Sequence, residues 1–154
     1  MKIRYLFILL LAPALTNADV TGSYTCSQKI TTTIKMAGRA KTSRSVATTT
    51  MTVNADGTAI GMNPAVPFPF HDTWTLSGKK FTLIPDQADV IKTLNYTCEQ
   101  ADVTCVFMGD TYSSKLTVNS AQTQINGTTK LNVSMTMNGQ LVNSNGSSTI
   151  KCSK

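Results

Sequence analysis

The sequence predicts an all-β domain: an antiparallel meander β-barrel, with a β-sandwich as the alternative, at most one short helix and two disulfides. Three observations predict it. Short runs rich in Thr, Val, Ile and Ser alternate apolar and polar residues with a period of two, the period at which successive strand side chains reach opposite faces. Turn dipeptides such as Asp56-Gly57, Ser77-Gly78 and Asn138-Gly139 punctuate those runs. Four cysteines, Cys26, Cys98, Cys105 and Cys152, make an even set in a chain that opens like an exported one.

That opening is "MKIRYLFILLLAPALTNA". Lys2 and Arg4 precede an apolar run from Tyr5 to Leu11, and Thr16 and Ala18 stand at positions suited to cleavage before Asp19. Residues 1–18 therefore read as a signal peptide and residues 19–154 as a single β domain. The apolar run is too short for a membrane span, which needs about 20 residues, and no later segment qualifies. A secreted or periplasmic location is expected. Of the 14 basic residues, Lys2 and Arg4 leave with the leader, so 12 face 8 acidic residues, net +4. So mild a charge argues against a nucleic-acid binder.

Within the domain, "GSYTC" supplies a first strand. The next segment, "KITTTIKMAGRAKTSR", carries Lys29, Lys35, Arg39, Lys41 and Arg44 with no acid between Asp19 and Asp56. It reads as a basic hairpin loop around Gly38, either solvated or gripping an anionic partner. "TTTMTVN" sets Met51 and Val53 on one face; Asp56-Gly57 turns the chain, and "TAIGM" returns with Ile60 and Met62 as its apolar pair. "NPAVPFPFHDTW" is stiffened by Pro64, Pro67 and Pro69. It reads as a loop folded over one end of the sheet, or as the rim of an apolar pocket built from Phe68, Phe70, His71 and Trp74. "TWTL" places Trp74 and Leu76 inward, Ser77-Gly78 turns, and "KFTLI" returns with Phe81 and Leu83.

One helix is expected where Pro85 opens "DQADVIKTL", with Ala88, Ile91 and Leu94 on one face. Beyond it, "SKLTVN" turns Leu116 and Val118 inward, and Asn126-Gly127 reads as a turn. "TTKLNVSMTM" places Leu131, Val133, Met135 and Met137 opposite Lys130, Asn132, Ser134 and Thr136. After Asn138-Gly139, "SSTIKC" closes the sheet with Ile150 and Cys152. About eight to ten short strands result, the pattern of a barrel or sandwich.

Three disulfide pairings are possible. The favoured one joins Cys26 to Cys152, tying the first strand to the last, and Cys98 to Cys105, closing a hairpin. The rival joins Cys26 to Cys98 and Cys105 to Cys152. "YTCSQ" from Tyr24 and "YTCEQ" from Tyr96 echo each other, a likeness that Thr-rich composition alone can produce.

The segments "GSYTC", "TMTVNADGTAIGM", "WTLSGKKFTLI" and "TIKC" together resemble the small exported lipocalin-like and related eight-stranded β-barrel proteins of bacterial envelopes. The resemblance implies binding of a small apolar ligand or of another protein. The chain is also similar to periplasmic c-type lysozyme inhibitors, whose barrel opens with a Tyr-x-Cys strand bridged to a late cysteine. Their inhibitory Ser-Gly-x-x-Tyr loop corresponds here to Ser77–Phe81, with Phe for Tyr, which would give Ser77 and Lys79 the inhibitory contacts.

No catalytic set is apparent. His71 is the only histidine; it adjoins Asp72, and neighbouring strand residues point to opposite faces, unlike a base held beside a nucleophile. One His and disulfide-prone cysteines leave no zinc-type ligand set, and Met135 and Met137 fit an inner strand face. No cofactor or metal is expected, and a monomer is. The expectation is a non-catalytic exported binding or structural protein of the bacterial envelope, with an apolar ligand at Phe68, Phe70, His71 and Trp74. The alternative is an inhibitor or adhesin-like protein that meets an enzyme or anionic surface through Lys29, Lys35, Arg39, Lys41 and Arg44.

Overall fold

The computed structural model describes residues 19–154; the expected signal peptide lies outside the described residues. Eight antiparallel strands follow one another around a closed barrel: β1 (Gly22–Met36), β2 (Arg39–Val53), β3 (Thr58–Met62), β4 (Phe70–Ser77), β5 (Lys80–Pro85), β6 (Cys105–Val118), β7 (Gln124–Met137) and β8 (Gln140–Ser153). The helix α1 (Gln87–Gln100) lies between β5 and β6. Closure selects the barrel over the sandwich: β1 pairs with β8 from Thr25 to Met36. Cys26 stands directly opposite Cys152 in that ladder, and the two are bonded. The covalent link therefore crosses the seam where the chain's ends meet.

Alternation accounts for the wall. Tyr24, Cys26, Met51, Val53, Leu116, Val118, Val133, Met135, Ile150 and Cys152 are all buried, each two residues from the next on its strand. The core fills the end where β1 starts and β8 stops. Tyr24 is 1% exposed, and its hydroxyl donates to Val20 O at 2.6 Å and Gln122 O at 3.1 Å. Trp74 stacks on the fully buried Phe81, with centroids 5.7 Å apart, and its indole N–H donates to Asn54 O at 2.9 Å. Here Trp74 is floor, not pocket rim. Phe81 occupies the same floor, so in the Ser77–Phe81 turn only the first residues reach solvent, Ser77 and Lys79 among them.

Several local expectations change. Ile60 faces outward, Ala59 and Gly61 face in, and Met62, at the end of β3, is 45% exposed beside the cavity mouth. Gly61 pairs with Phe70 across the ladder, so its lack of a side chain leaves the inner side there to Phe70; a Cβ on Gly61 would stand in ordinary contact with Phe70 Cβ at 3.8 Å. Asn126-Gly127 is not a turn but the interior of β7, paired with Thr117 and Leu116 on one side and Lys151 and Ile150 on the other. The "KITTTIKMAGRAKTSR" segment is no loop; it is the paired ends of β1 and β2, whose ladder runs unbroken to Met36 and Arg39. Beyond its last pairing with β3 at Thr50, β2 has no second neighbour among the described residues, so 39–49 forms a sheet edge there. Arg39, Lys41 and Arg44 on it are the charges that discourage edge-to-edge pairing.

The helix starts one residue after its cap. Asp86, not Pro85, precedes it, and its carboxylate accepts from Ala88 N at 2.8 Å. It also runs past Leu94 to Gln100, absorbing Tyr96, Thr97 and Cys98. Val90 and Cys98 are its buried residues, where Ala88 is exposed. Thr93 and Thr97 are tolerated because their hydroxyls bond the carbonyls one turn back, each at 2.8 Å. Consequently the Cys98–Cys105 bond closes no hairpin; it fastens the helix's last turn to the start of β6.

Candidate functional site

A meander puts alternate connections at alternate ends. The β1–β2, β3–β4 and β7–β8 turns share the end opposite the packed floor with α1. There the wall is uneven. Strands β1, β2, β6, β7 and β8 are 14 or 15 residues long, whereas β3, β4 and β5 have 5, 8 and 6. β5 pairs with β6 only at Lys80 and Phe81 before the two diverge. Helix α1 fills the breach, and under it lies a cavity of about 330 Å³.

The lining is mostly apolar. Val90 and Leu94 come from α1, Leu83 and Pro85 from β5, Phe70 from β4, and Leu131 and Ile150 from β7 and β8. Met62, 45% exposed, also lines it, so the cavity reaches solvent where β3 stops. A larger hollow of about 490 Å³ lies between the β1–β2 and β7–β8 turns, but every residue bounding it is exposed, so it is open surface.

Besides threonines and Asn63, the polar lining includes Gln28, Asp72 and Tyr112. Gln28 and Thr49 are linked, Gln28 Nε2 donating to Thr49 Oγ1 at 3.2 Å. Tyr112 has Ser114 as a side-chain partner, whereas Asp72 is less provided for. Asp72 follows Phe70 and precedes Trp74 by two residues each, so the pleat turns it inward with them. Its carboxyl has no hydrogen-bond partner among the described residues, and burial pushes its pKa up to about 7. The nearby Asp89 raises it further, His71 opposes, and Asp86 adds a smaller push. Burial likewise pushes the Tyr112 hydroxyl up to about 12, with the Asp72 charge contributing. Asp72 was legible as an acid in the inward phase of an otherwise apolar strand face; from sequence alone it was weighed only as the neighbour of His71, and the pair was set aside.

His71 takes the other face of β4 and lies outside the cavity. Its side chain is 57% exposed, with Nδ1 2.9 Å from an Asp89 carboxylate oxygen. That oxygen also accepts from His71 N at 2.6 Å, while His71 O accepts from Asp86 N at 2.9 Å. The contacts pin the first turn of α1 to β4. Burial disfavours the Asp89 charge, but the hydrogen bonds from the His71 backbone and ring outweigh it and hold Asp89 below its ordinary value. Phe68 is also elsewhere: it meets Phe70 at 6.2 Å and Tyr96 edge-on at 5.9 Å, with Lys92 Nζ 4.3 Å above its ring. Of the four sequence-predicted ligand residues, Phe70 alone lines the cavity. Phe68 packs the loop against the outside of α1, away from the cavity.

The five basic residues are divided by the same pleat. Lys29, Lys35 and Arg44 share the outer face, since Thr31 pairs with Arg44; Arg39 and Lys41 pair with Met36 and Ile34 on the inner face. They do not form one patch. Among the described residues, no group of three or more His, Cys, Asp or Glu side chains is placed to hold a metal ion, and no helix is long and apolar enough to cross a membrane.

The Asp72 carboxyl has a measurable consequence. Its folded pKa, about 7, lies above the ordinary 3.8, so the folded state holds a proton that the unfolded chain has lost between those values. This contribution to stability is complete below pH 3.8 and is lost as pH rises through about 7, a change on the order of 4 kcal/mol. Urea unfolding of wild type and Asp72→Asn at pH 4.5 and pH 8 checks it. The wild type is expected to lose stability relative to the variant as pH rises; parallel pH dependence would refute the assignment.

No protein-family model matches this chain, and no curated protein or solved structure matches it either.

Proposed function

We propose that this is a non-catalytic, exported binding protein that holds a small apolar ligand in the barrel beneath α1. The observation that carries the reading is the cavity itself: about 330 Å³, mostly apolar, and reaching solvent beside Met62. Interiors are normally packed to crystal-like density, so a void of this size at the end of a barrel is a binding feature before it is a packing fault. Export is supported by the leader-like opening and by two disulfides of the kind an oxidising compartment sustains. The bacterial-envelope setting rests on the sequence resemblance alone. The alternative, an inhibitor or adhesin-like contact through the basic hairpin, draws less support, because the pleat sends its charges to two faces.

Titration with prodan, a neutral fluorophore whose emission shifts blue in apolar surroundings, tests the cavity. Wild type is expected to bind it with a Kd in the micromolar range. Leu131→Trp, which fills the cavity, and Phe70→Ala, which reshapes its lining, should each change Kd about tenfold, the effect of roughly 1.4 kcal/mol. Phe68→Ala should leave Kd within about twofold. A wild type that takes up no prodan, or a Leu131→Trp variant that binds it unchanged, sinks the proposal.

A further inference from the structure

Resting on the cavity reading, we infer that the preferred ligand is an apolar molecule ending in a protonated amine, with the ammonium group held by the Asp72 carboxylate and the Tyr112 hydroxyl as a second acceptor. Of the polar groups in the cavity, Gln28 and Thr49 are joined to each other through Gln28 Nε2 and Thr49 Oγ1 and carry no charge. Asp72 alone presents a carboxyl to an apolar space with no donor to meet it among the described residues. A carboxylate only accepts, so the group it lacks is a donor, and a charged donor best offsets the cost of burying an anion.

The surroundings point the same way. From α1, Asp86 and Asp89 add negative charge. From β4, His71 contributes the opposing charge, but its ring is engaged with Asp89 on the outer face. From β6, Tyr112 is kept neutral by burial, and Asp110 is bonded by Gln87 Nε2 at 3.1 Å. Lys92 lies over Phe68, outside the cavity. The remaining walls, from β1, β2, β3, β5, β7 and β8, bring no ionisable side chain to the cavity. A fatty carboxylate would thus enter a site already short of positive charge. An alcohol could donate one bond but leave the anion uncompensated. An alkylammonium supplies both the donors and the charge, and its chain suits the apolar lining.

The experiment is displacement of prodan by octylamine, octanol and octanoate at pH 8 and pH 5, with wild type, Asp72→Asn and His71→Gln. At pH 8, octylamine is expected to displace prodan from wild type at a concentration about tenfold lower than octanol, with octanoate the weakest. The preference should collapse at pH 5, where Asp72 is protonated, since its pKa is about 7. It should be absent in Asp72→Asn at both pH values and persist in His71→Gln. Octanol matching octylamine at pH 8, octanoate displacing best, or an amine preference that survives Asp72→Asn or disappears in His71→Gln would each overturn the inference while leaving the cavity reading intact. Failure of wild type to take up prodan overturns both.

Discussion

Gly127→Ala is expected to destabilise the fold by at least about 3 kcal/mol, or to prevent folding altogether. Gly127 sits in the middle of β7 with φ +153, a conformation that side-chain-bearing residues avoid. A Cβ there would drive into the carbonyl oxygen of Lys115 and come within 2.9 Å of Leu116 Cα. Both obstacles are backbone of the paired strand β6, so no side-chain rotation relieves them. β7 is also held from the other side by Ile150 of β8, so it cannot retreat without breaking a second ladder. The comparison is Gly139→Ala in the exposed β7–β8 turn. There φ is +80 but nothing lies within 4 Å, so the cost should be only about 1 kcal/mol of backbone strain. Chemical denaturation of the two variants separates the effects. A Gly127→Ala protein as stable as Gly139→Ala would mean that β7 does not take this path past β6.

The second large effect is loss of the seam. Cys26 and Cys152 are 126 residues apart in sequence and directly opposed across the β1–β8 ladder. Replacing both by Ser releases a loop that spans nearly the whole domain, a cost of about 5 kcal/mol by loop entropy. That is comparable to the entire stability of many domains, about 5–15 kcal/mol. The two sulfurs are also core: these residues are 2% and 3% exposed, so the serine hydroxyls would be buried beside Tyr24 and Met51. Serine replacement of Cys98 and Cys105, separated by 7, should cost only about 2.5 kcal/mol. Its effect should centre on the last turn of α1. Guanidinium midpoints for the two double variants check the order, and amide exchange through Tyr96–Gln100 checks the location. A larger loss from the Cys98–Cys105 pair would show that the barrel closes without its staple.

Much of the fold was readable because a half-buried strand writes its geometry into every second residue. Leu131, Val133, Met135 and Met137 did so plainly, and the inward phase found Trp74, Leu76, Phe81, Leu83, Leu116 and Val118 without knowledge of the neighbouring strands. Asn138-Gly139 was a turn as read. Asn126-Gly127 was not, although the dipeptide is the same: here glycine serves a close backbone approach between β6 and β7 rather than a reversal, and only the position of Lys115 tells the two uses apart. The candidate site was less legible. Its cavity exists because β3, β4 and β5 are short, β5 leaves β6, and α1 occupies the gap. None of these depends on a motif. Strand length in particular was hidden, since where β1 and β2 stop is decided by whether a partner strand continues beside them.

Tyr-Thr-Cys occurs twice, and the two copies mark the boundary of what local sequence can decide. Alternation of side chains, the spacing of turns and an even count of cysteines sufficed for an all-β, disulfide-stapled domain, since each is a local property that survives whatever the neighbours do; the choice of barrel over sandwich waited on the β1–β8 pairing. At Tyr24–Cys26 the triplet is a strand, laddered to β2 and β8 with Tyr24 and Cys26 in the core. At Tyr96–Cys98 the same three residues are helix. Their β preference, worth at most about 1 kcal/mol, is overruled. The turns begun at Asp86, the burial of Val90 and Cys98 and the bond to Cys105 outweigh it. The same packing put Asp72 into an apolar space and His71 outside it. The body of the helix was legible from Asp86 to Leu94; its last turn, the cavity and the half-buried Asp72 carboxyl depend on which surfaces the wall leaves to cover, and that is a property of the assembled barrel rather than of any stretch of the chain.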